Sequence, residues 1–495
     1  MNLESSRGDQ HLRRRDVLMM GGAGILTFFG CDTTNRKVAA AINDASARPP
    51  VTKNVADDKL AEPELMLLQN HPIPSYKIND VRENPFLLPP KNIEIPPAEF
   101  RALAHFLSER IKRFILKEAA MNDQISKQLS SMGMGRKIDY SLSGSGPIIK
   151  LEQEATNALQ QYSNPQYARP LMAALSQLDE FKKLDLLNRF MLAENAFILF
   201  NLFSDPDHPV PVDVLDIYDV KTATVSFPGE QGKPQKAVSL PLFFSKSTVV
   251  PQHEGVPSTV NFYDKGVKVI VIRREEPQKC FADAYSQSPY VGAKVMYAKE
   301  KGSTPEGEFA DQCKQAYVRR VIMHEATHGL LHEMFEPLVQ RGVNDREFTA
   351  PVRLQFSAPF GDQTGYRIKK YYNVFDLNEL AAFGVELATT EQFPSFAAFE
   401  ITFLEGNNNE LMQSLLVWML TRIPLSEKTR GIQAEVARSL ARNENPDTIY
   451  GKISEICADP AFSLKHVNAI GRILWQIGYE GMRQQNIYLE SRRNR

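Results

Sequence analysis

Histidine is scarce in this 495-residue chain, with nine in all, and there are only four cysteines and two tryptophans. Four cysteines over such a length exclude a disulfide-stapled scaffold, and a chain of this size buries a core without staples. Charge of one sign is also missing, since 58 lysines and arginines face 59 aspartates and glutamates. With no net field, no polybasic block and no acidic tail, no nucleic-acid partner is expected. Outside the N-terminus no run of about twenty apolar residues could span a bilayer. Internal repeats and low-complexity segments are absent, and length alone suggests two or three domains.

Apolar residues do gather at the N-terminus. "RRRDVLMMGGAGILTFFGC" joins a charged start to an apolar stretch from Val17 to Phe29 and then Cys31, which reads as a signal peptide over residues 1–31. Arg14 and Arg15, followed by Asp16, Val17 and Leu18, resemble a twin-arginine export motif. Phe28-Phe29-Gly30-Cys31 resembles a bacterial lipoprotein cleavage box with Phe28 in the usual leucine position. These resemblances imply export to the cell envelope, periplasmic or held to the membrane by lipid on Cys31. The alternatives are cleavage after "AAA" (Ala39 to Ala41) or "ASA" (Ala45 to Ala47), or an uncleaved anchor, for which the run is short. With Cys31 acylated, three cysteines remain: either Cys280 pairs with Cys313, or both stay buried thiols with Cys457.

Residues 32–97 are rich in proline, as in "RPPVTK", "NHPIPSYK" and "NPFLLPPK", and read as an extended tether without a core of its own. From 98 to 215 apolar residues fall at helical spacing (Phe100, Leu103, Phe106, Leu107, Ile111, Phe114, Ile115), with helical patterning through Phe203; this predicts a mostly helical domain. A last domain, 216–495, starts with β-branched and aromatic runs such as "TATVSF", "AVSLPLFF" and "VKVIVIRR", read as short strands. "YVGAKVMYA", Tyr290 to Ala298, suggests one more strand, and helices then run to the end. The expected class is α+β, mostly helical, with a short sheet preceding the helix described next.

Three of the nine histidines sit in "VIMHEATHGLLHE", Val321 to Glu333. Ser303 and Glu306 form a capping-box pattern with Pro305 in the first turn, so the helix is predicted to start near Thr304 and to end at Pro337. His324 and His328, four residues apart, project from one face a turn apart, so two imidazoles can converge on one metal ion. Glu325, one residue around the helix, can reach water at that metal without being a ligand. His332 lies about 12 Å along the axis from His324, too far for coordination by one straight helix.

A catalytic zinc needs a third protein ligand and one open position. The pattern that supplies a third histidine fails here, because Leu331 and Met334 stand where it needs glycine and histidine. "NVFDLNELAAFGVELATT" offers a glutamate instead: Asn378-Glu379-Leu380-Ala381-Ala382 resembles the second motif of glutamate-type zincins. With His324-Glu325-x-x-His328, it makes the chain resemble the gluzincin metallopeptidases over about sixty residues, His324 to Glu386. Many branches of that clan hold a histidine with an aspartate a few residues after the ligand, where this chain has Phe383 and Gly384. Two other readings stay open: Asp376 and Glu379 could form a capping box, and Glu386, two turns on, would then be the ligand.

The resemblance implies a zincin-like catalytic domain and zinc held by His324, His328 and Glu379, with Glu325 as general base. It also implies a protein or peptide substrate in a bacterial envelope. Tyr371, Tyr372, Arg367 and His466 are candidates for the donor that meets the oxyanion. "VGAKVMYA" and "VKVIVIRR" are candidates for a substrate-binding edge strand. The segment between the two motifs, "REFTAPVRLQFSAPFGDQTGYRIKKYYNVF", has strand-like stretches that could line a cleft. The competing expectation is a zinc-binding envelope lipoprotein or scaffold without proteolytic activity.

Overall fold

The computed structural model describes residues 66–67, 70–81, 84–90, 94–131, 146–200, 212–228, 236–248, 262–264, 266–273, 308–345, 348–357, 360, 365–400, 410–441 and 446–493. The expected signal with Cys31 lies outside these residues, as do Cys280, Ser303, Glu306 and the strand expected at Tyr290–Ala298. The chain mixes helix and sheet, with helix dominant. No helix among the described residues is long and apolar enough to cross a membrane.

Two compact units emerge. The first takes the described residues within Ile78–Ala223 and Ser239–Glu276, the second those within Phe28–Lys77, Thr224–Val238 and Pro277–Arg495. The first unit begins with four helices, α1 (Pro97–Ser131), α2 (Gly146–Gln160), α3 (Pro165–Gln177) and α4 (Glu180–Ala193). Phe100, Leu103, Leu107, Ile111 and Ile115 recur on one stripe of α1, as the spacing predicts, and pack with Leu151, Leu171 and Phe190 of the other three helices. Asp179 caps α4 by accepting from Lys182 N at 3.0 Å.

Helical patterning was expected to run on through Phe203, but α4 stops at Ala193 and Ala196–Phe200 is a strand. Asn195, at φ 52, takes the left-handed conformation that turns the chain. Buried Asn188 then holds the strand: its side chain donates to Ile198 O at 3.1 Å and accepts from Ile198 N at 2.7 Å. In chain order the strands are β1 (Met66–Leu67), β2 (Ser75–Asp80), β3 (Ala196–Phe200), β4 (Val212–Phe227), β5 (Lys236–Ser247), β6 (Phe262–Asp264) and β7 (Val269–Arg273). One sheet has the order β2-β4-β5-β7-β6, with β3 paired antiparallel to β4. "VKVIVIRR" is therefore not an edge strand, because β7 runs parallel to β5 on one side and antiparallel to β6 on the other. Its unbroken apolar run shows why: Val269, Ile270, Val271 and Ile272 are all buried, as a strand covered on both faces requires. Most of these strand residues fall in the unit of the four helices, while Ser75–Lys77 of β2, Thr224–Phe227 of β4 and Lys236–Val238 of β5 fall in that of the motif helix.

The second unit holds α5 (Glu308–Met334), α6 (Glu336–Asn344), the hairpin of β8 (Thr349–Ser357) and β9 (Gly365–Asn373), and then α7 (Val374–Ala388). After these come α8 (Pro394–Glu400), α9 (Glu410–Leu420), α10 (Glu427–Ala441), α11 (Pro446–Cys457) and α12 (Leu464–Arg493). The motif helix α5 ends at Met334, and Pro337 lies in the first turn of α6, where its missing N–H costs nothing. Part of the expected tether is ordered in this unit. Met66 and Leu67 pair in parallel with Leu354 and Gln355. Gln476 donates to Asn70 at 2.8 Å, the Trp475 indole donates to Pro72 O at 3.1 Å, and buried His71 lies 3.2 Å from buried Glu480. Proline-rich composition removed a local core but left the Asn70 and His71 side chains and the Pro72 carbonyl for the C-terminal helix to bind.

Helix α7 packs between α5 and α12 and is buried on nearly every side. Against α12 the approach is backbone to backbone. A Cβ on Gly384 would lie 2.2 Å from Trp475 N, and one on Gly471 would lie 2.1 Å from Ala388 N. We predict that Gly384→Ala and Gly471→Ala each destabilise the protein by about 1–3 kcal/mol through overpacking, outweighing the roughly 1 kcal/mol of helix propensity that alanine adds. Gly431→Ala in α10, where nothing lies within 4 Å of the new Cβ, should stabilise by about 0.5–1 kcal/mol instead. Urea titration followed by circular dichroism separates the two outcomes.

Candidate metal centre

Helix α5 carries His324, Glu325 and His328 in a stretch where every residue from Ile322 to Leu330 is buried. Helix α7 brings the carboxylate. Asn373 is its N-cap, accepting from Phe375 N at 2.9 Å, so Asp376 falls inside the first turn and the expected capping box does not form. Glu379 is thereby left to face α5. His324 Nε2 lies 3.1 Å from His328 Nε2 and 3.5 Å from Glu379 Oε2, and His328 Nε2 lies 3.7 Å from Glu379 Oε1.

These spacings fit a metal ion. Ligand atoms about 2.1 Å from a tetrahedral centre are about 3.4 Å apart, and the three observed separations bracket that value. Ligand atoms of His324, His328 and Glu379 all lie within 4.8 Å of one another, so the cluster can hold a metal ion. The Glu379 side chain retains 25% exposure while the two imidazoles are sealed, so the cluster opens on the Glu379 side. His332 is not part of it.

Glu386 has a different place. Its Oε2 lies 3.3 Å from His324 Nδ1, on the ring edge facing away from the cluster, and its Oε1 accepts from Arg320 Nε at 3.3 Å. All three side chains are nearly fully buried. With a carboxylate at ion-pair distance from Nδ1, Nε2 is the ring nitrogen that faces the ligand position. Glu386 thus flanks the far edge of the His324 ring, and Arg320 offsets the cost of burying its charge.

Arg320, one turn before His324 and next to Arg319, has no role assigned from sequence. Asn378 and Phe383 stand in the second motif and just after it, without a role assigned from sequence. Phe383 packs edge-on against the His324 ring, with centroids 4.4 Å apart. Buried Asn378 faces His328 and favours its protonated form. Thr327 donates to Met323 O at 2.7 Å and shares a 2.7 Å hydrogen bond with the Tyr76 hydroxyl, anchoring the motif helix to the ordered N-terminal segment.

The candidate oxyanion donors have other surroundings. Arg367 donates to Gln355 at 3.2 Å, and the His466 ring lies against Phe360 and Phe462 with Nδ1 3.1 Å from Ser463 Oγ. Tyr371 is 58% exposed on β9. Tyr372 is half-buried, and burial pushes its phenol pKa up.

Three carboxylates, Glu325, Glu379 and Glu386, meet one guanidinium here, a negative surplus that a dication offsets. Burial opposes charge on His324, but Glu379, Glu386 and Glu325 together raise its pKa well above the usual imidazole value. Burial pushes His328 down to about 4. Burial works against the Glu379 carboxylate, yet the two imidazoles hold its pKa below the ordinary range. The surrounding carboxylates favour a proton on His324, which a bound metal would displace, while burial disfavours one on His328.

Binding of a divalent cation is therefore expected to release about one proton per site and to tighten as pH rises, until the raised pKa of His324 is passed. Calorimetry in buffers of different ionisation enthalpy measures this; binding without proton release would contradict the arrangement. Glu386→Gln should weaken binding about 10–100-fold, as loss of a partner to a ligating histidine does, with Glu379→Gln costing more. Comparisons with protein-family models, curated proteins and solved structures gave no match, so the case for a metal rests on this geometry.

Proposed function

We propose that this chain is a zinc-dependent metallopeptidase of the gluzincin type, hydrolysing peptide bonds of proteins or peptides in a bacterial cell envelope. Zincin-like architecture around the two motifs is part of the proposal, as are export and membrane attachment through lipid on Cys31. The observation that carries it is the convergence of three side chains, with the two imidazole Nε2 atoms 3.1 Å apart and the two Glu379 carboxylate oxygens 3.5 and 3.7 Å from them, and a further glutamate beside them on the motif helix. Two nitrogens and one carboxylate oxygen suit zinc, and three protein ligands leave a position for water. The resemblance of His324-Glu325-x-x-His328 and Asn378-Glu379-Leu380-Ala381-Ala382 to the gluzincin motifs supports the same reading.

His324, His328 and Glu379 would hold the zinc. Bound there, zinc supplies Lewis acidity, lowering the pKa of water and polarising a peptide carbonyl. Glu325 is 2% exposed, and its charge helps hold the proton on His324. As a carboxylate it accepts the proton of the attacking water and then delivers it to the leaving amine. Glu386 and Arg320 keep the His324 ring turned toward the ligand position. The partly exposed side of Glu379 gives a peptide its way in.

Glu325→Gln is expected to retain zinc at one equivalent and to lose at least about a hundredfold in peptide cleavage, the usual weight of a general base. His328→Ala should lose zinc and cleavage together. Metal analysis and a casein-cleavage assay on the same preparations test both. Wild-type protein without zinc, or a Glu325→Gln variant that cleaves at the wild-type rate, would overturn the reading.

A further inference from the structure

The hydroxyl of Thr327 lies inside the turn that carries both imidazoles, one residue before His328. It donates to Met323 O, the carbonyl of the residue before His324, at 2.7 Å, and so uses its only proton. The Tyr76 hydroxyl, 2.7 Å from Thr327 Oγ1, is therefore the donor of the second bond. Burial pushes the Tyr76 phenol pKa well above its ordinary value, so the donor keeps its proton. A residue far earlier in the chain thus grips the backbone of the metal-binding turn through one buried hydroxyl.

Tyr76 is itself held in place. Just before it, Asn70 accepts from Gln476 at 2.8 Å, His71 lies 3.2 Å from Glu480, and Pro72 O accepts from the Trp475 indole at 3.1 Å. The His71 ring also meets Tyr479 edge-on, with centroids 4.7 Å apart. All four partners are on α12, the helix that meets α7 backbone to backbone, and α7 carries Glu379. Histidines and glutamate are therefore joined by a second route, from α5 through Tyr76 to the N-terminal segment, then to α12 and on to α7. The direct ties between α5 and α7 start from residues before His324: Arg320 to Glu386 at 3.3 Å, and the Thr389 hydroxyl donating to Met323 Sδ at 2.9 Å. Tyr76 fastens the same turn at its His328 end. Because a ligand set must be held to within about 0.5 Å, a fastening there bears on the spacing between His328 and Glu379.

We propose that the segment Asn70–Tyr76 is a working part of the metal centre: Tyr76 is a positioning residue that, through Thr327, holds His328 at the distance Glu379 needs, so that metal affinity depends on this segment being seated on α12. The inference rests on the metal reading of the site and does not need the peptidase reading. By reciprocity, a bound metal fastens the segment in turn.

The test measures zinc affinity of the full chain by competition with a chromophoric chelator. Tyr76→Phe removes one hydroxyl and is expected to weaken zinc about tenfold, the lower end for loss of an outer partner at a metal site. Thr327→Val should weaken it as much, while Thr327→Ser, which keeps the hydroxyl, should retain the wild-type affinity. The visible absorption of the cobalt-loaded protein should change in Tyr76→Phe and not in Thr327→Ser, because the ligand geometry itself is altered. The thermal midpoint of the metal-free protein separates positioning from packing: a lowered midpoint with zinc affinity and cobalt spectrum unchanged makes Tyr76 a structural residue only and overturns the inference. The wild type supplies an arm that needs no variant. Saturating zinc is expected to slow nicking by proteinase K between Met66 and Lys77 about tenfold, the same factor seen from the other side; equal nicking with and without zinc overturns the inference. A wild type that binds no zinc sinks the metal reading as well, whereas zinc bound equally by wild type and Tyr76→Phe sinks this inference alone.

Discussion

The close approach of α7 and α12 governs where the carboxylates of the site can be. With glycine at 384, 471 and 478, the two helices meet backbone to backbone, so α7 presents its small residues to α12 and turns its other face to α5. At about 100° per residue, Gly384, Ala381, Ala388 and Leu377 fall on one side of α7, and Glu379 and Glu386 fall together on the opposite side. Seven residues apart, the two glutamates share a stripe and meet the same histidine from two edges. One is placed for a metal and the other for the ring that binds it.

Burial then sets the electrostatics. A carboxylate taken out of water costs several kcal/mol unless something compensates, and this interface contains Glu325, Glu379 and Glu386. Arg320 compensates Glu386, and in the metal-free state the His324 proton compensates much of Glu379. Replacing that proton with a dication keeps the balance and adds ligand bonds. The same charges that make the empty arrangement tolerable make it receptive to a metal, which ties site chemistry to helix packing.

Much of the site was readable because it is local. Histidines four apart on a helix face one point wherever that helix lies, and Glu379 follows from a second short motif. What could not be read was how the helices face each other. Two observations place Glu379 rather than Glu386 in the cluster that could hold an ion: Asn373 takes the cap, and Glu386 lies beside Nδ1 of His324 rather than Nε2. Neither can be known before α7 is oriented against α5. Arg320 was missed because an arginine beside a motif looks like solvent charge until its carboxylate is found. In the fold, periodicity identified α1 but carried the helix past Asn195, where a left-handed residue and the Asn188 side chain start a strand. The runs "VKVIVIRR" and "AVSLPLFF" are strands as the pattern predicts, but sequence order does not reveal which unit a sheet joins.

The central claim is that His324, His328 and Glu379 converge on one zinc ion. X-ray absorption at the zinc edge of the purified protein tests it most directly. The account predicts two imidazole nitrogens and two oxygens at about 2.0–2.1 Å, with one oxygen lost in Glu379→Ala. Sulfur in the coordination shell, or a shell unchanged by removing Glu379, would contradict it.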